Sequence, residues 1–102
     1  FAGDYVKAMW LMTQQDIPND YVIATGKTKT IKDFVEAVAL ELGIKNWMQY
    51  ININPSLIKR SVDNILVGDP SIAKNQLGWE HSLSFNHLVG LMVKNEITGF
   101  LD

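Results

Sequence analysis

Apolar positions recur at helical spacing in several stretches and run continuously in others, and that alternation sets the expected elements. Over 4–15, Tyr5, Ala8, Met9 and Met12 repeat at three and four, with Val6, Trp10 and Leu11 widening the apolar surface. This predicts a helix, with Asp4 as its cap. So wide a surface implies burial on more than one side, and hence a partner. Ile17-Pro18-Asn19-Asp20 reads as a turn, and the continuous, partly β-branched run 21–24 as a short buried strand. A polar connection containing Gly26 leads to a second helix. Thr30, with Asp33 three residues on, forms a capping box in which Asp replaces the usual Glu. Ile31, Phe34, Val35, Val38, Ala39 and Leu42 make its inner stripe, and Gly43 stands where a left-handed terminator belongs.

Within 44–53 the pattern changes to period two. Trp47, Gln49, Ile51 and Ile53 share one face of a strand, and Met48, Tyr50 and Asn52 the other. Residues 54–64 form an irregular polar connection, and 65–67 another short strand. Asp69-Pro70 opens a third helix, with Asp as cap and Pro at the first helical position. It closes at Gly78, after which Trp79 packs back on Leu77 or Ile72. Ser84 caps a last helix whose buried stripe is Phe85, Leu88, Val89, Met92 and Val93, ending at Gly99. The order predicts a single α/β or α+β domain over 1–102, with about four helices and two or three short strands, and no internal repeat.

Nine basic against eleven acidic residues give a net charge of −2 with no long run of one sign, which speaks against an electrostatic nucleic-acid binder. Without cysteine, disulfides and thiolate metal sites are excluded, and the composition suits the cytoplasm. The apolar runs are far short of the ~20 residues of a membrane span, and no signal peptide is visible. Asn54-Pro55-Ser56 is disqualified for glycosylation by its proline. The chain begins at Phe1 rather than Met and reads as a fragment.

Tests for chemistry mostly come out negative. Gly26-Lys27-Thr28 lacks the glycine five residues earlier that a phosphate loop needs; Tyr21 stands there. No glycines have the G-x-G-x-x-G spacing of a dinucleotide-binding turn, so a Rossmann domain is not expected. Tyr5, Tyr21 and Tyr50 have Met9, Thr25 and Asn54 four residues on, so no tyrosine has a lysine one helical turn away. His81 and His87 are six apart, against the three or four of a metal pair on one helix face. Lys59-Arg60 is the one basic pair in an irregular segment. It could clamp a diphosphate, the arginine through bidentate hydrogen bonds, or be a solvated loop pair.

Several segments together are similar to one family. Gly3-Asp4-Tyr5-Val6-Lys7-Ala8-Met9-Trp10-Leu11-Met12 with Gln14-Gln15, and Asp20-Tyr21-Val22-Ile23-Ala24-Thr25-Gly26, resemble the "DYV-AMW-M-QQ" and "DYVIATG" stretches of GDP-mannose 4,6-dehydratases. Phe34-Val35-Glu36 fits the helix that follows. Gly68-Asp69-Pro70, Ala73-Lys74 and Leu77-Gly78-Trp79 resemble "GDP-KA--LGW", and Phe85, Leu88-Val89 and Met92-Val93 the final helix. The likeness covers nearly the whole chain except 46–64.

In that family an amino-terminal Rossmann domain binds NADP and carries the catalytic threonine, glutamate, tyrosine and lysine. Hydride leaves C4 of the mannose, water leaves across C5–C6, and hydride returns to C6, giving GDP-4-keto-6-deoxymannose. The resemblance implies that this chain is the carboxy-terminal, GDP-mannose-binding part, inactive without the missing Rossmann domain. A family arginine that helps hold the diphosphate falls on Lys59 when counted back from Gly68-Asp69, with the motif's proline on Arg60 and its glutamate on Val62. Either the motif is degraded or Arg60 substitutes. A lysine keeps the charge and loses the planar fork. The stretch from Ile44 to Pro55 is also shorter than in known members. These departures fit a decayed gene, a divergent enzyme, or a captured fragment. The alternative reading is a free-standing binding or homo-oligomeric module burying the apolar face of the first helix.

Overall fold

The computed structural model describes residues 1–57 and 65–99. Among the described residues there are three α-helices: α1 (Ala2–Thr13), α2 (Ile31–Glu41) and α3 (Phe85–Gly99). Short 3-10 turns occupy Trp47–Tyr50 and Pro55–Leu57, and a π-helical turn Ala73–Leu77. The chain divides into two compact units, one of Phe1–Thr28 with Leu66–Ser84, the other of Lys29–Ile65 with Phe85–Asp102.

The expected α/β or α+β class is overturned: the described residues contain helices and no strand. The segments 21–24, 44–53 and 65–67 have strand composition, but a strand exists only where a neighbour supplies a ladder of backbone hydrogen bonds. None of the three has such a ladder among the described residues. Within 44–53 local bonding replaces it. Gln49 N–H donates to the Asn46 carbonyl at 3.4 Å and Ile51 N–H to the Met48 carbonyl at 3.1 Å, closing a 3-10 turn.

In the first unit, α1 starts earlier than its apolar pattern suggests, with Phe1 as N-cap and the Asp4 N–H donating to the Phe1 carbonyl at 3.1 Å. Asp4 therefore does not cap the helix; it sits in the first turn, facing inward and only 6% exposed. Ala8, Ala73, Leu77 and Trp79 form the core, with Leu11, Met12, Tyr21 and Ile23 packed against it. Of the two packing partners expected for Trp79, Leu77 joins its cluster and Ile72 stays half exposed. Tyr5 meets the Trp79 ring edge-on, centroids 6.4 Å apart.

Asp69 and Pro70 open the third helical segment as expected: the Asp69 carboxylate accepts from the Ser71 N–H at 2.9 Å and from its hydroxyl. The segment ends at Gly78, whose φ of 65° suits only a residue without Cβ. Its closing bonds, Gly78 N–H to Lys74 and Trp79 N–H to Ala73, each reach one residue farther than in an ordinary Schellman ending, because the turn is π-widened.

In the second unit the capping box is formed: the Asp33 N–H donates to Thr30 Oγ1 at 3.0 Å and the Thr30 N–H to Asp33 Oδ2 at 2.8 Å. The helix ends in a Schellman pair, Ile44 N–H to Ala39 and Gly43 N–H to Leu40, around Gly43 at φ 69°. α2 and α3 pack together, with Ala39 and Val89 buried. Phe34 and Phe85 stack edge-on at 6.5 Å, and the Lys29 ammonium lies 5.2 Å over the Phe85 ring. The expected stripes are only partly covered. Ile31 is 83% exposed, and Leu42 and Met92 are also exposed. No described helix is long and apolar enough to cross a membrane.

Candidate functional site

Lys59 and Arg60, the expected diphosphate ligands, lie outside the described residues. Both sequence flanks of that segment are held by local chemistry. Upstream, in the second unit, Asn54 Oδ1 accepts from the Ser56 N–H at 3.0 Å and from Ser56 Oγ at 2.8 Å, and the Leu57 N–H donates to the Asn54 carbonyl. This is an Asx turn leading into the Pro55–Leu57 3-10 turn. Downstream, in the first unit, Asp69 caps its helical turn. Its carboxyl is held below the usual range, first by the Ser71 hydroxyl and then by the Ser71 N–H.

Two of the first-unit motifs that carry the family resemblance, 20–26 and 68–70, meet in space. A Cβ built on Gly68 would lie 2.6 Å from Ala24 Cβ and 3.5 Å from Val22 Cγ1. Beside them Gly26 turns at φ 74°, with the position of its absent Cβ 3.6 Å from Pro70 Cδ. The 21–26 segment can therefore lie along 68–70 only because position 68 has no side chain. Gly26-Lys27-Thr28 makes no phosphate loop. The Thr25 hydroxyl donates to the Lys27 carbonyl at 3.3 Å, and the next helix begins only at Ile31.

Among the described residues the buried charged side chain is Asp4. Its carboxylate accepts from Ser82 Oγ at 2.7 Å and from the Ser82 N–H at 3.0 Å, while its main-chain carbonyl accepts from Trp79 Nε1 at 2.8 Å. The Ser82 hydroxyl is the main cause of a lowered Asp4 pKa. Burial opposes the shift, while the Ser82 N–H and His81 reinforce it. A carboxylate so held is a poor base, so the pair ties the 79–82 segment to α1 and does not activate a nucleophile. The signal for its inward position was present in the sequence: Asp4 shares a helical face with Ala8 and Leu11 at i, i+4 and i+7.

In the second unit a groove of about 230 Å³ is lined by Glu41, Val93, Lys94, Ile97 and Thr98. That is smaller than the ~300–1,000 Å³ of ordinary ligand pockets. Among the described residues no three histidine or acidic side chains gather as a metal site. The glycines do not suit a dinucleotide either. A pyrophosphate needs open backbone at a strand-to-helix turn, whereas the space beside Gly68 is taken by Ala24 and that beside Gly90 by the Glu41 carboxylate, which would repel phosphate. Gly43, Gly78 and Gly99 have open space beside them but stand at the C-terminal ends of helical segments, not at a turn leading into one, so the described residues do not fit NADP.

Comparison with known proteins points one way. The sequence profile for GDP-mannose 4,6 dehydratase matches residues 1–92. GDP-mannose 4,6 dehydratase 2 of Arabidopsis thaliana is 42% identical over 97 residues, 95% of this chain and 26% of the relative. The Drosophila melanogaster enzyme is 37% identical over 112 residues, 94% of this chain and 28% of the relative. The Vibrio cholerae enzyme is 30% identical over 124 residues, 94% of this chain and 33% of the relative. The chain therefore spans about a quarter to a third of the relatives it matches. The Arabidopsis match is nearly free of gaps, whereas the Vibrio match is much longer than the stretch of this chain it covers. The relatives thus differ in how far their length over the matched region departs from that of this chain.

Proposed function

The chain belongs to the GDP-mannose 4,6 dehydratase family, and we propose that it is the sugar-nucleotide side of such an enzyme, binding GDP-mannose without transforming it. The observation that carries this reading is the profile match over residues 1–92 in a chain that spans only 26–33% of its relatives. The groups for hydride and proton transfer are assigned to a Rossmann portion that also holds NADP. In keeping with this, the sequence contains neither the glycine spacing for a dinucleotide nor a tyrosine with its lysine one turn on.

Lys59 and Arg60 take the nucleotide diphosphate. Arg60 offers a planar fork that can grip two phosphate oxygens, and Lys59 adds a point charge. In the sequence the pair lies between the Asn54 turn and the Asp69 cap. A cysteine-free chain with no long run of one charge suits work on a small nucleotide sugar in the cytoplasm.

The purified chain, supplied with NADP and GDP-mannose, is expected to form no GDP-4-keto-6-deoxymannose. Product formed by these residues alone would refute the division of labour.

A further inference from the structure

We draw no further inference here: the strongest candidate, the open groove of about 230 Å³ on the second unit lined by Glu41, Val93, Lys94, Ile97 and Thr98, carries nothing because nothing in the structure shows what covers it.

Discussion

The indole N–H of Trp79 donates to the main-chain carbonyl of Asp4 at 2.8 Å, joining positions 75 apart in sequence. Trp79 is also 1% exposed in the cluster with Ala8, Ala73 and Leu77. One residue thus supplies both the largest buried side chain of its unit and the donor for a helix carbonyl. The two roles separate by substitution. Trp79→Phe keeps most of the apolar burial and leaves the carbonyl without its partner, a loss of about 1–3 kcal/mol. Trp79→Ala also opens a cavity and should lose about 3–5 kcal/mol. Urea denaturation should rank the midpoints as wild type, then Phe, then Ala, with Ala approaching the whole stability of a small domain.

Acid should loosen the same region. Asp4 has a folded pKa below its ordinary value, chiefly because the Ser82 hydroxyl donates to the carboxylate. A lowered carboxyl pKa means that its stabilising contribution is complete above the unfolded value of ~3.9 and is lost as pH falls through the folded pKa. Melting temperature should therefore drop with acidification below about pH 4. Ser82→Ala removes the principal cause of the shift, so the acid dependence should become shallower, as read by thermal melts across pH. An unchanged slope would mean that Asp4 does not govern it.

Gly68→Ala tests the contact between the two resemblance motifs. The added methyl would sit 2.6 Å from Ala24 Cβ, which is fixed to the backbone and cannot rotate away. Overpacking of this kind typically destabilises by about 1–3 kcal/mol. Ala24→Gly in the same chain should recover part of the loss, since it removes the colliding atom. Chemical denaturation of the single and double variants measures that recovery.

What the sequence conveyed well was what neighbouring residues decide among themselves. The Thr30–Asp33 box, the Gly43 and Gly78 terminators, the Asp69-Pro70 start and the extent of α3 all depend on residues within a few positions of one another. The strands were misread because β-branched runs such as 21–24 and 65–67 report a taste for extended backbone, not the presence of a ladder. Asp4 was misjudged by one turn: a side chain that could cap a helix starting at 5 lies inside one starting at Ala2. The π-widening of Ala73–Leu77 was not read from the sequence; it accompanies the packing of Leu77 and Trp79 into one core. For the ligand segment, composition singled out Lys59 and Arg60, and the described residues reach its flanks at Leu57 and Ile65.

Calorimetric titration of the chain with GDP puts the proposed role to its most direct test. Saturable heat is predicted for the wild type, and its loss in the Lys59→Ala, Arg60→Ala double variant, with helical circular dichroism preserved. Wild-type protein that takes up no GDP, or a folded double variant that takes it up equally well, would contradict the assignment.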